Sequence, residues 1–210
     1  MGSYYYLVSQ LPYLMFGQAP PMSSEAFREL ARPLVSDQDA ALLDLVSLDP
    51  QPPRPGNTGG GLSYENSSPA CGSDFIDQWR EWERAMRLNL AKHRLVKTKR
   101  EGTVTAEPPV LPTDAVSAAA KAVAEADSPL EGETLIDRAR WSAIEVLQGT
   151  GYFDSSTVFA YLLKLIILER RASFHAETGF SEYKSLYASI LENVAAGGVL
   201  PGTSPAGESK

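Results

Sequence analysis

The chain has 210 residues with 26 acidic and 19 basic side chains, a formal net charge of −7. This length fits one domain or two small ones and suffices for a sizeable core. The acidic excess argues against a general nucleic-acid binder. A single cysteine excludes an internal disulfide, and two histidines leave little material for a zinc enzyme or a catalytic triad. Composition therefore predicts a cytosolic, non-catalytic protein.

The first part of the chain contains two short predicted helices and then a loop. Ser23 opens the first helix and Ser36 the second, because a serine oxygen accepts from the free N–H groups at a helix start. Residues 49–73 combine several prolines with a Gly-Gly-Gly run. Proline removes backbone donors and glycine adds chain entropy, so this segment predicts a long flexible Gly/Pro-rich loop.

The clearest predicted helix spans about residues 74–96. Its apolar side chains recur at spacings of three and four, which places them on one helical stripe. These side chains are Phe75, Trp79, Trp82, Met86 and Leu90. Opposite charges three or four residues apart support the solvent face. These pairs are Asp77–Arg80, Glu81–Arg84 and Glu83–Arg87. We interpret both tryptophans as core residues in preference to a stacking platform.

Further predicted helices follow a second proline-rich segment at residues 101–113. An alanine-rich helix continues to about residue 126, and the next one ends near Gly149, because glycine favours a helix C-terminus. A long apolar helix begins at Asp154, with Gly179 as its predicted stop. The most apolar run, residues 158–168, has eleven residues. A bilayer requires about 18, so we expect no membrane span.

The last predicted helix covers about residues 181–194, and the predicted fold is an all-α helical bundle with long helices. Tyr4–Val8 and Thr103–Thr105 are the only weak strand candidates, on their aromatic and β-branched content. Composition also predicts domain boundaries. These are an N-terminal helical segment at 1–48, the Gly/Pro loop at 49–73, a main bundle at 74–194 that forms one domain with 1–48, and a disordered tail at 195–210.

No constellation of residues predicts catalysis. The glycine run of the loop is not followed by the lysine that a phosphate loop requires. Cys71 has no nearby base, and His93 lies between two cations near a helix end. His175 has no carboxylate at the spacing of three or four that a helical metal pair prefers. We therefore expect no catalytic, cofactor-binding or metal-binding residue.

Charge is distributed unevenly along the chain. Residues 73–101 hold eight basic and five acidic side chains, whereas both flanks are acidic. Their cations form either a solvated face with internal ion pairs, which we favour, or a surface for an acidic protein partner. Further along, the charged triplet Glu169–Arg171 follows the apolar run. It is either a packing or contact point beside a buried seam or an ordinary helix end.

Two aromatic and apolar stretches have a distinctive pattern. The first is Tyr4–Leu14, with the sequence YYYLVSQLPYL. The second begins with GYFD at Gly151 and continues through FAYLLKL to LERR, which ends at Arg171. Together they resemble an uncharacterised bacterial family that is encoded among V-type ATPase subunits. That family is distantly similar to the C-type (or d-type) component of V-type ATPases, an all-helical funnel.

The resemblance implies a non-catalytic coupling or assembly subunit between the membrane rotor ring and the central stalk. The expected partners are rotor-ring and central-stalk subunits, and the expected location is the cytoplasm, peripheral to the inner face of the plasma membrane through the ATPase. The alternative is a free-standing helical adaptor that binds an acidic protein. The candidate partner-binding residues are Tyr4, Tyr5, Tyr6, Leu11, Pro12, Arg80, Arg84, Arg87, Lys92, Arg94, Tyr161, Glu169, Arg170 and Arg171.

Overall fold

The computed structural model describes residues 4–48, 70–98, 114–174, 185–187 and 189. Within these ranges the protein is helical and has no strand, which confirms the predicted all-α fold. Most of the predicted Gly/Pro loop and all of the predicted tail lie outside them. The α-helices are α1 (Tyr5–Gln10), α2 (Ser24–Ala31), α3 (Asp37–Leu43), α4 (Asp74–Thr98), α5 (Asp114–Glu125), α6 (Pro129–Gln148) and α7 (Ser155–Ala172), and a 3-10 helix covers Arg32–Leu34.

Two predictions about secondary structure are wrong. The weak strand candidate Tyr4–Val8 is helical, and the backbone N–H of Val8 donates to Tyr4 O at 2.9 Å. The buried side chains Tyr4 and Leu7 are three residues apart, as on one face of a helix, so burial overrides the β-propensity of the aromatic residues. The other error concerns α7, which ends at Ala172 and not at Gly179.

Serine side chains begin three of the helices. The hydroxyl oxygens of Ser23, Ser36 and Ser128 accept from the backbone N–H three residues further on, at 3.0, 3.1 and 3.1 Å. Each bond satisfies a donor that has no partner inside its helix. The sequence identified Ser23 and Ser36 as helix starts. It did not single out Ser128, although Pro129 follows at the first helical position, where proline is favoured.

Within the described part of the chain, the hydrophobic core consists of two clusters that share α4 and α6. The larger cluster draws on every α-helix except α5, and Trp79 and Phe159 are among its most buried side chains. The smaller cluster joins α5 to α4 and α6 through residues such as Met86 and Val116. Trp82 packs against both clusters. Trp79 is therefore a core residue, and Trp82, with its ring 5.5 Å from that of Trp79, joins the two clusters.

The chain divides into two compact units, Met1–Arg171 and Ala172–Lys210. All of the buried core residues identified in the described ranges belong to the first unit. The N-terminal helices and the later helices contribute to the same large cluster of that unit. In the second unit, residues 185–187 and 189 are helical. The domain boundaries given above stay a prediction.

Candidate functional site

A network of ion pairs joins α4 to α6. The guanidinium of Arg140 on α6 donates to the Glu83 carboxylate of α4, with Nε 2.6 Å from Oε1. Arg87 Nε approaches the other carboxylate oxygen of Glu83 at 3.2 Å. Within α6, Arg140 Nη1 also donates to Asp137 Oδ1 at 3.1 Å. The side chains of Glu83 and Arg140 are each 10% exposed, so this pairing is largely shielded from water.

The same network continues into α7 through Asp137, whose side chain is fully buried. Arg170 Nη1 donates to Asp137 Oδ1 at 2.9 Å, and its Nη2 pairs with Glu133. Arg171 Nη1 lies 3.9 Å from Asp137 Oδ2. A single buried carboxylate of α6 thus faces three arginines, one on its own helix and two on α7. Ion pairs are stronger where water is excluded, so these buried pairs hold α4, α6 and α7 in one arrangement.

Burial and charge oppose each other in this network. Burial raises the pKa of the Asp137 carboxyl, and the positive charges of Arg170 and Arg140 counteract that shift. For Arg140, burial alone would lower the pKa, but the neighbouring Glu83 carboxylate outweighs burial and the pKa is raised. Arg140 is therefore held in its charged form, as a buried cation with a carboxylate partner should be.

Two of the five candidate cations of α4 are engaged within the chain. Arg84 Nη2 pairs with Glu81 at 2.7 Å, and Arg87 pairs with Glu83 and also donates to Leu48 O at 2.8 Å. These contacts confirm the predicted pairs Glu81–Arg84 and Glu83–Arg87. The third predicted pair, Asp77–Arg80, is not among the ion pairs of the described residues. Beyond them, Arg80 is half-buried, and Lys92 and Arg94 are exposed near the C-terminal end of the helix.

The triplet Glu169–Arg171 is part of the packing. Glu169 Oε1 accepts from the backbone N–H of Ser24 at 2.7 Å, so a side chain of α7 caps the first turn of α2. Arg170 and Arg171 belong to the ion network. Of the two interpretations, the structure supports a packing point beside the buried seam of α7.

The N-terminal segment lies against α7 and the turn that precedes it. The backbone N–H of Tyr4 donates to Phe153 O at 2.9 Å, and the rings of Tyr5 and Phe153 are 4.8 Å apart. Further along, the Tyr161 hydroxyl donates to Pro12 O at 3.0 Å across 149 residues of sequence. These contacts join the two stretches of sequence that carry the family resemblance.

The candidate residues of this segment differ in exposure. Tyr4 is 7% exposed, its hydroxyl interacts with Ser36 and Asp39, and its side chain is therefore committed to the interior. Tyr5 and Tyr6 are exposed at 62% and 68%. Leu11 is half-buried against the core, and Pro12 is exposed. Of these candidates, the two exposed tyrosines and the proline remain accessible to a partner.

Phe16 was missed by the sequence analysis. The Arg171 guanidinium carbon lies 4.5 Å from its ring centroid, and that of Arg138 lies 5.9 Å away. The Trp141 ring meets it edge-on at 5.6 Å. Cation–π and edge-to-face contacts of this kind fasten the end of the N-terminal segment onto α6 and α7. No local pattern marks Phe16, because all of these partners are distant in sequence.

Comparison of the chain with protein-family models, curated proteins and solved structures finds no match. The roles of these residues are therefore inferred from the geometry of the described part of the chain.

Cys71, His93 and His175 are the remaining candidates for catalysis or metal binding. Cys71 is half-buried, burial raises the pKa of its thiol, and its backbone N–H donates to Asp77 Oδ1 at 3.0 Å. His93 is half-buried on α4, and His175 lies outside the described residues. In the described ranges, no three His, Cys, Asp or Glu side chains come together as a metal site. No helix there is long and apolar enough to cross a membrane.

The burial of the Tyr161 hydroxyl predicts that it titrates at alkaline pH. Burial raises the pKa of the Tyr161 phenol from 10.0 to about 12. The folded state therefore holds the proton more tightly than the unfolded chain, and this stabilisation is complete below pH 10.0 and is lost as pH rises toward 12. In a spectrophotometric titration, Tyr161→Phe should remove a tyrosinate component near pH 12. Losing the hydrogen bond should also cost about 0.5–1.5 kcal/mol of unfolding free energy.

Tyr13→Phe is the matched control, because Tyr13 is 86% exposed. Removing the Tyr13 hydroxyl should leave both the tyrosinate component near pH 12 and the free energy of unfolding unchanged. An unchanged titration of the Tyr161→Phe variant would contradict the assignment.

Proposed function

We propose that this protein is a non-catalytic coupling or assembly subunit of a bacterial V-type ATPase. It would link the membrane rotor ring to the central stalk from the cytoplasmic side, held at the membrane through the complex. The observation that carries the proposal is the contact between the two stretches that bear the resemblance. Pro12 and Tyr161 meet although 149 residues separate them, and Tyr4 pairs with Phe153. Two stretches of resemblance that pack against each other support the proposal better than two stretches far apart in the structure.

The internal contacts suit a mechanical part. Transmitting force between two assemblies requires a body that resists bending, and buried charge networks and close packing provide this rigidity. Here α4 contains 25 residues, which corresponds to roughly 37 Å at the usual helical rise. The ion network fastens this helix to α6 and α6 to α7. An external load on one of the three helices would thus reach the others through direct contacts.

Co-purification tests the proposal. A tagged full chain, produced in the bacterium that encodes it and extracted in mild detergent, should bring down rotor-ring and central-stalk subunits identified by peptide mass. The same tag on an unrelated helical protein provides the background. Absence of ATPase subunits from the tagged complex would contradict the proposed function.

The alternative is a free-standing adaptor that binds an acidic partner along α4. It has less support, because Arg84 and Arg87 are engaged with carboxylates of the same helix. Among the candidate cations of α4, Lys92 and Arg94 are the exposed ones. The adaptor would give a stable complex with another protein, without rotor or stalk subunits, and Lys92→Ser with Arg94→Ser would weaken it.

A further inference from the structure

Two arginines from different helices lie against the ring of Phe16. The guanidinium carbon of Arg171, on α7, is 4.5 Å from the ring centroid, and that of Arg138, on α6, is 5.9 Å from it. The two guanidinium carbons are therefore no further apart than the sum of these distances. Arg138 is exposed, so its side chain can turn to meet an anion that Arg171 holds. We call Phe16, Arg138 and Arg171 the arginine site.

The N–H donors of both arginines are available to a ligand. Arg171 Nη1 is 3.9 Å from Asp137 Oδ2, which is beyond hydrogen-bond distance, and that buried oxygen accepts no hydrogen bond from the described part of the chain. In the same ranges, the Phe16 ring is the contact recorded for the Arg138 guanidinium. A guanidinium presents five N–H donors in a planar fork that matches the oxygens of a phosphate or a carboxylate.

The ion pairs around Phe16 leave a positive charge at the arginine site. Each carboxylate of the ion network has a cation to match it. These matches are Glu83 with Arg87, Asp137 with Arg140 and Glu133 with Arg170. Lys164, which lies over the Trp141 ring, is matched by Glu145. Arg138 and Arg171 are left over, so the site is a positive region on a chain with a net charge of −7.

The surplus of positive charge selects the kind of anion. A phosphate monoester carries about −1.5 to −2 at neutral pH and has three strong acceptor oxygens, enough for both arginines. A carboxylate carries a single negative charge and would leave one arginine without a counter-charge. A nucleic acid would bring many further negative charges against an acidic chain. The ligand that fits is a compact group with two negative charges.

We propose that the arginine site binds the phosphate group of a phosphomonoester. Arg171 would hold the group from α7, and Arg138 would close on it from α6. The Trp141 ring meets Phe16 edge-on at 5.6 Å, which keeps the ring in place beneath the guanidinium groups. Arginines that are already positioned on a fixed ring lose little conformational entropy when the anion binds, and this favours affinity.

The first test is a calorimetric titration of the purified full chain with glycerol 3-phosphate at neutral pH. Arg138→Ser should weaken the binding about tenfold or more, as expected when a charge-assisted contact is lost. Arg138 is exposed, so the melting temperature should stay within a few degrees of that of the unmodified protein. Arg94→Ser, which removes an exposed arginine from α4, is the matched control and should leave the affinity unchanged.

The second test separates a fitted phosphate site from general charge attraction. Arg138→Lys keeps the positive charge but loses the planar fork, so its affinity should lie between those of the unmodified chain and Arg138→Ser. Acetate, the carboxylate probe, should bind at least about tenfold more weakly than glycerol 3-phosphate. Equal affinity for acetate would overturn the proposal. So would an equal loss of affinity in the Arg94→Ser and Arg138→Ser variants.

Vesicles distinguish a lipid headgroup from a soluble ligand. Binding to phosphatidic acid vesicles but not to phosphatidylcholine vesicles, with loss in Arg138→Ser, would identify a lipid phosphate. Binding to glycerol 3-phosphate without vesicle binding would identify a soluble phosphomonoester. Either result supports the proposal, whereas binding to neither probe, or binding that Arg138→Ser leaves intact, overturns it. These measurements use the purified chain alone, so their outcome does not depend on the proposed coupling function.

Discussion

Replacing Arg140 with methionine should lower the free energy of unfolding by about 3–5 kcal/mol. Methionine keeps most of the length of the side chain but removes its charge. Glu83 and Asp137 would then each lose a guanidinium that now lies 2.6 and 3.1 Å away. Asp137 is fully buried and Glu83 nearly so, so water cannot replace the lost cation. The cost is that of leaving buried carboxylates with too little positive charge.

Chemical denaturation of the purified chain measures this effect, and Arg94→Met is the matched control. Arg94 is exposed on α4, so its replacement should change the free energy of unfolding by about 0.5 kcal/mol or less. Adding Glu83→Gln to the Arg140→Met variant should recover part of the loss, because one uncompensated charge disappears. A loss that this second change fails to reduce would show that packing, and not charge, is responsible.

Trp79→Ala is the second substitution with a large expected effect, a loss of about 3–5 kcal/mol of unfolding free energy. The side chain is 2% exposed, and its ring stacks on that of Trp82 with centroids 5.5 Å apart. The indole Nε1 also donates to Ser47 O at 3.2 Å, which ties α4 to the chain after α3. Alanine would leave a cavity, remove the stacking partner and break that hydrogen bond.

Val96→Ala on the same helix is the control for this truncation. Val96 is 79% exposed, and its loss should change stability by about 0.5 kcal/mol or less. The free energy of unfolding of the Trp79→Phe variant should lie between those of Trp79→Ala and Val96→Ala. Phenylalanine keeps an aromatic ring in the core but loses the hydrogen bond. Equal stability of the Trp79→Ala and Val96→Ala variants would contradict the assignment of Trp79 to the core.

The parts of the fold that depend on neighbouring residues could be predicted from the sequence. The apolar stripe of α4 and the pairs Glu81–Arg84 and Glu83–Arg87 arise within one or two helical turns, so their spacing in sequence is enough. The start of α3 at Ser36 was predictable for the same reason. The helical state of Tyr4–Val8 was not, because aromatic residues also favour strands and only packing decides between them.

The candidate site depended on contacts across the chain. The sequence marked Tyr5 and Tyr6 as candidates, but it could not show that Phe153 lies against Tyr5, because the two residues are far apart in sequence and only the fold brings them together. It also placed Tyr4 in the same group, whereas that side chain is buried. Exposure depends on how the chain packs, so Tyr4 is buried whereas its neighbours Tyr5 and Tyr6 are exposed.

The all-α fold, the starts of α4 and α7 and the position of the first charged residue, Glu25, could be predicted from the sequence. Which charges face water depends on the tertiary structure. Arg140 and Glu83 are 57 residues apart, and nothing in the composition distinguishes them from the exposed Arg94. Helix formation is governed by local spacing and capping. The burial and pairing of a charge depend on which helices pack together, and this brings distant residues into contact.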